Sequence, residues 1–219
     1  MTRFINPIGP IRLFPLERMS DIDVTMVMQI LLSAVLAFAV FKITQKVVSI
    51  TPGFQKEDKK LPYYYAVSCI SMSSLLFFFG WSIEFFKGLI FMLTLLYASV
   101  SDIQTHEICD GASVLIFVTG FIGATMTELP FMLIGSLVIG AFLFVCACIF
   151  RGRFGPGDMK ISAASAFLLG FEKGYIGLAI GLFLSIIINL IVEKVKKNKD
   201  HPFPLVPYLS IGYMLMYFC

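Results

Sequence analysis

Residues 129–150 read LPFMLIGSLVIGAFLFVCACIF, 22 positions without a charged side chain. A hydrocarbon layer about 30 Å thick is crossed by roughly 20 helical residues, so this stretch reads as a membrane span. Working outward, further uncharged stretches cover 24–41, 61–83, 88–101, 111–127, 161–171, 174–192 and 202–219. The 88–101 run becomes long enough if its helix begins near Phe85, with Lys87 extending its ammonium to the interface. The 161–171 run is short. The expectation is an all-α polytopic membrane protein of about eight transmembrane helices, the sixth of them short.

The placement of charge orients these spans. Loops on the cytoplasmic side of a membrane carry the excess of Lys and Arg. Twelve of the 17 basic residues fall after the first, third, fifth and seventh spans, among them Lys42, Lys46, Arg151, Arg153, Lys160, Lys194 and Lys197. Arg3, Arg12, Arg18, Lys87 and Lys173 make up the other side. Those odd-numbered loops are therefore expected in the cytoplasm. An uncleaved first span is expected as well, because Lys42 and Lys46 hold its far end inside. Residues 1–87 form an N-terminal tail and two helices with a short cytoplasmic loop, and residues 88–219 a six-helix core.

Composition agrees with this reading. The 219 residues are 58% hydrophobic and 14% charged, against roughly 45–50% and about 25% in soluble domains. That excludes a soluble enzyme, a nucleic-acid reader and a disordered chain. Net charge is only +3, so nothing calls for a polyanionic partner. Cys69, Cys109, Cys146, Cys148 and Cys219 form neither a disulfide framework nor a zinc spacing, and are read as buried thiols. No metal and no cofactor are expected.

Ionisable groups at the hydrocarbon edge are costly and invite a functional reading. Two stretches stand out: Tyr97-Ala98-Ser99-Val100-Ser101-Asp102-Ile103-Gln104-Thr105-His106-Glu107-Ile108-Cys109-Asp110, and Phe154-Gly155-Pro156-Gly157-Asp158-Met159-Lys160. Each sets an aspartate at the cytoplasmic end of a span, so Asp102 and Asp158 lie on one side of the membrane. Two close carboxyl groups do not both ionise cheaply. The charged one can activate water while the protonated one polarises a peptide carbonyl. Gly155 and Gly157 admit positive φ and leave room for a peptide backbone, Pro156 stiffens the turn, and Asp158 gains from a helix N-terminus. Lys160 can serve the site or mark the interface. Asp158 as a simple helix cap and Asp102 as an ordinary loop residue are the competing readings, and His106 reads as a solvated loop histidine.

At these residues the sequence resembles the type IV prepilin peptidase family of polytopic aspartic proteases. Asp102 through Ile108 and Asp110 matches the family's D-x-x-x-x-x-I-P-N/D pattern, with Cys109 in place of proline and a less rigid turn expected. Gly155-Pro156-Gly157-Asp158-Met159-Lys160 looks like its G-x-G-D-hydrophobic-K segment. Pro202-Phe203-Pro204-Leu205-Val206-Pro207-Tyr208 is similar to its P-F-G-P-F stretch, with Pro204 in place of glycine. The resemblance implies Asp102 and Asp158 as the catalytic pair, and Gly155, Gly157 and Lys160 as substrate-binding or site-shaping residues. It assigns the proline-rich stretch a structural part only.

The same resemblance implies a membrane aspartic endopeptidase that removes the leader from type IV prepilins or prepilin-like proteins at the cytoplasmic face. Its partners would be a prepilin or pseudopilin and the lipid bilayer, and its setting a bacterial inner membrane with a pilus or type II secretion system. Many relatives insert a zinc-binding domain with paired C-x-x-C motifs between the first two spans. Residues 42–60 hold no cysteine, so N-methyltransferase activity is not expected. Presenilin and signal peptide peptidase share G-x-G-D, but a tyrosine precedes their first aspartate where Ser101 stands here. The alternative from another class is a small transporter or assembly scaffold whose aspartates bind a cation or proton.

Overall fold

The computed structural model describes residues 61–149, 155–196 and 204–219, with isolated helical positions at 31, 35, 38 and 42. Most of the first expected span and the 43–60 loop lie outside the described residues. Those residues form seven helices: α1 Leu61–Phe79, α2 Ile83–Thr105, α3 Asp110–Gly120, α4 Leu129–Ile149, α5 Pro156–Leu169, α6 Phe171–Lys196 and α7 Val206–Phe218. The α2 helix starts at Ile83 because the Ser82 side chain accepts a hydrogen bond from the Phe85 N–H, which satisfies one of the free donors at a helix start. Lys87 thus falls inside the helix. Between α5 and α6 the chain turns within one residue, Gly170, at φ 80°, a conformation costly for a residue bearing Cβ.

Among the described residues, three helices are long and apolar enough to cross a membrane: Ile83–Thr105, Leu129–Ile149 and Phe171–Lys194. The stretches 111–127, 161–171 and 202–219 yield helices of 11, 14 and 13 residues. At 1.5 Å per residue these reach only about 16–21 Å. The reason for the shortening is local. The 121–128 segment turns at Gly123, where φ is 73°, and α7 begins only after Pro204, with Pro207 in its first turn.

The short helix α5 is the centre of the bundle. It packs against α3, α4, α6 and α7, and α3 and α7 also pack against α2. Ile161, Ser162, Ser165, Ala166 and Phe167 are completely enclosed. By contrast, α4 and α6 turn Leu133, Leu137, Phe142, Phe144, Phe183, Ile186 and Leu190 outward, the apolar surface that a bilayer covers. Cys146 and Cys148 lie half-exposed and exposed on α4, and Cys109 is exposed, which corrects the expectation of buried thiols. An apolar run surrounded by lipid has the same composition as one surrounded by protein. The α6–α7 contact is close because Gly177 and Gly181 meet Gly212 backbone to backbone, the small-residue packing used where lipid offers no hydrophobic drive.

Candidate active site

Asp102 occupies the last turn of α2 and is 6% exposed. A carboxylate there faces the negative end of its own helix dipole, so it needs donors from elsewhere. They come from the start of α7. The Val206 N–H donates to Asp102 Oδ2 at 3.0 Å, and the adjoining Leu205 backbone lies close enough to favour the charged form. A helix start carries free N–H groups and the positive end of the dipole. One turn deeper, the Ser99 and Ser210 hydroxyls hydrogen-bond at 2.9 Å and tie α2 to α7.

Asp158 is the third residue of α5 and is 8% exposed. Its Oδ2 accepts the Gly155 N–H at 3.2 Å, which anchors the loop entering the helix. Its Oδ1 is buried with no hydrogen-bond partner. Pro156 holds the first helical position, where its missing N–H is no loss. Ser162 and Ser165, both fully buried, follow four and seven residues on along the same helix face.

Neither glycine uses positive φ. Gly155 has φ −71°, Gly157 lies within α5, and the positive-φ glycines among the described residues are Gly80, Gly123 and Gly170. Their requirement for glycine differs. A Cβ on Gly157 would lie 2.8 Å from both Ile108 Cβ and Ile108 Cδ1, so α5 is pressed against the loop after α2. A Cβ on Gly155 would meet only the Asp158 carboxyl group, with Oδ2 at 3.4 Å and Cγ at 3.9 Å.

That loop is shaped by its own hydrogen bonds. His106 closes α2 in the left-handed conformation, φ 54°, with its N–H on the Asp102 carbonyl at 3.1 Å. The Ser101 hydroxyl donates to the Glu107 carbonyl at 2.7 Å. The His106 side chain is exposed and acts on Asp102 only electrostatically. Lys160 bonds Asp110 at 2.7 Å, so α5 and the start of α3 are clasped together. Both groups are more than half exposed, and such pairs contribute little stability.

Cys109 has φ −64°, the value a proline ring imposes, and its N–H donates no hydrogen bond among the described residues. The turn thus follows a proline's path without the ring. Cys109→Pro is expected to raise stability by about 0.4–1 kcal/mol by restricting the unfolded chain, read as a higher thermal midpoint in detergent.

Asp102 and Asp158 come close enough for the charge of one to act on the other. Their surroundings are the 106–110 loop, the 155–160 segment and the 204–206 helix start. The sequence reading missed the parts of Val206 and Ile108, although both lie in the quoted stretches. The prolines around Val206 were the available signal, since they force a helix start whose N–H groups have no partner within the helix.

The family model of type IV leader peptidases matches residues 89–192. That segment belongs to the type IV leader peptidase family. A "Prepilin leader peptidase/N-methyltransferase" from Bacillus subtilis (strain 168) is 31% identical over 149 residues, which is 64% of this chain and 58% of that protein. The chain thus spans little more than half the length of that curated relative. No solved structure matches. The leader-peptidase segment contains Asp102, Ile108, Asp158 and Lys160, whereas Val206, which holds Asp102, lies beyond it.

Proposed function

We propose that the chain is a membrane aspartic endopeptidase that removes the leader from type IV prepilins or prepilin-like proteins at the cytoplasmic face of a bacterial inner membrane. The observation that carries this reading is the pair Asp102 and Asp158. Two buried carboxyl groups from separate helices act on each other, inside a segment of the leader peptidase family.

The chemistry needs one carboxylate and one carboxylic acid. Asp102 accepts the Val206 N–H at 3.0 Å with the Leu205 backbone beside it, against one 3.2 Å bond from Gly155 to Asp158, so Asp102 is assigned the base. It takes a proton from water as the water oxygen attacks the scissile carbonyl carbon. Asp158 holds the proton and gives it to the carbonyl oxygen through its free Oδ1. Collapse of the tetrahedral intermediate breaks the C–N bond: the proton on Asp102 passes to the leaving nitrogen, and a hydroxyl proton of the intermediate returns to Asp158 as the C=O bond reforms. In this reading Gly157 sets the position of α5 and Lys160 clasps the two loops, so both shape the site. A prepilin suits this placement. Its basic leader stays in the cytoplasm and its apolar helix enters the bilayer; the bond cleaved, which the family resemblance places just after a glycine preceding that helix, lies between them.

The relative's name also includes N-methyltransferase. We assign this chain the peptidase step alone, because 42–60 holds no cysteine for a zinc domain. The test is incubation of membranes containing the chain with a synthetic prepilin, with mass measurement of the products. Cleavage after the glycine, with the new N-terminus unmethylated, is expected. No cleavage of any prepilin by folded protein overturns the reading and favours an ion-binding membrane scaffold.

A further inference from the structure

A cavity of about 300 Å³ lies at the end of the bundle opposite the aspartates. Lys87 and Asp102 stand on one helix, about 22 Å apart by its rise. Lys87 and Lys173 line the cavity beside the apolar walls of Phe79, Met132, Leu168 and Leu169. Lys87 is 9% exposed. A lysine that merely reaches along a lipid-facing surface toward water is exposed in the bare protein, whereas Lys87 is enclosed by protein.

Neither lysine forms a salt bridge among the described residues. Glu84 and Cys219 act on Lys173 electrostatically, but from beyond ion-pair distance. Of the acidic side chains at the cavity, Glu128 has another donor, its Oε2 accepting the Thr125 N–H at 3.1 Å. The Tyr217 hydroxyl donates to the Glu84 carbonyl at 2.6 Å, with Glu84 Oε2 only a longer contact at 3.4 Å. The enclosed Lys87 and the half-buried Lys173 therefore face this cavity without an ion-pair partner among the described residues.

We propose that this cavity holds the phosphate of an anionic phospholipid, with Lys87 and Lys173 on its oxygens and the acyl chains leaving along the apolar wall. Two carboxylates stand near the two ammonium groups, so a phosphodiester with one negative charge fits better than a dianionic phosphate. The surroundings favour a lipid source over a free anion. Trp81, Ile83, Phe86, Phe121 and Met126 are all exposed around this end, the aromatic and apolar girdle found where a protein meets the membrane interface. This site is independent of the proteolytic reading, and binding is measured without a cleavage assay.

The full chain in neutral maltoside detergent should be titrated with dioleoyl phosphatidylglycerol, dioleoyl phosphatidylcholine and inorganic phosphate while its thermal midpoint is followed. Phosphatidylglycerol is expected to raise the midpoint saturably, by roughly 5–10 °C at a hundredfold excess over Kd, and the other two are not. Lys87→Gln/Lys173→Gln should lose the rise and Lys87→Arg/Lys173→Arg should keep it. Ala124→Trp, which fills the cavity from the 121–128 turn without touching charge, should lose it too and serves if the glutamine pair does not fold. An equal rise with phosphatidylcholine, or retention of the rise in Ala124→Trp or the glutamine pair, overturns the site. A rise with inorganic phosphate alone overturns the lipid as its occupant.

Discussion

Asp102→Asn and Asp158→Asn are each expected to lower prepilin cleavage by at least about a thousandfold, the upper range for loss of a positioned acid or base. The substitution separates chemistry from structure. Asparagine keeps an oxygen to accept the Val206 N–H at position 102 and the Gly155 N–H at position 158, so the helix starts that these bonds anchor are retained. Only the ability to carry and release a proton is lost. Cleavage should be compared in membranes at matched amounts of each protein, together with the pH profile of the unaltered enzyme. A pair that works with one proton between its members gives a rate that rises and then falls with pH. Full cleavage by either variant would remove that residue from the pair. Full cleavage by both would leave the aspartates as structural or ion-binding groups.

Gly157→Ala should nearly silence the enzyme while Gly155→Ala should not. The added methyl at 157 meets the stem of Ile108 at 2.8 Å, and a β-branched stem cannot swing aside as a flexible chain end can. Overpacking of this kind costs about 1–3 kcal/mol. The relief available is a shift of α5 away from the 106–110 loop, and that shift moves Asp158 relative to Asp102. A displacement of about 1 Å costs on the order of a hundredfold in rate, so a loss of that size is expected with the protein still folded in the membrane. At 155 the backbone suits any residue and the new contact is ordinary, so a change within a few-fold is expected. The double variant Gly157→Ala/Ile108→Ala removes Ile108 Cδ1 and Cγ1, two of the three atoms in the contact. It should recover part of the lost rate relative to Gly157→Ala alone. No recovery would mean that Gly157 serves some need other than this packing.

The two glycines show where local reasoning stops. G-x-G-D was legible as a motif, and the aspartate at its end as an ionisable group at a span boundary. The physical need for the second glycine was not backbone freedom. It was a neighbour, Ile108, on a loop far away in the chain. The third stretch shows the same limit. Pro204 and Pro207 announced a helix start near Val206, but nothing in residues 202–208 says that this start meets Asp102. That meeting depends on α7 lying against α2 and α6, which the glycines of α6 and α7 permit. The membrane spans fared according to length. The runs at 129–150 and 174–192 became long helices, whereas 111–127 and 202–219 are only partly helical.

By itself the sequence determined the membrane class, the positions of the long apolar helices and the two aspartates at span boundaries. These are local properties: transfer to lipid sums over consecutive side chains, and a charge beside such a run is visible without knowing its neighbours. Only the tertiary structure decided that α5 is a short buried helix at the centre, that Asp102 is held by the Val206 N–H at the start of α7, and that Ile108 bears on Gly157. It also decided that Lys160 reaches Asp110 and that Lys87 is walled into a cavity. Each of these depends on which helices pack together, and packing is set by shape complementarity between residues remote in the chain.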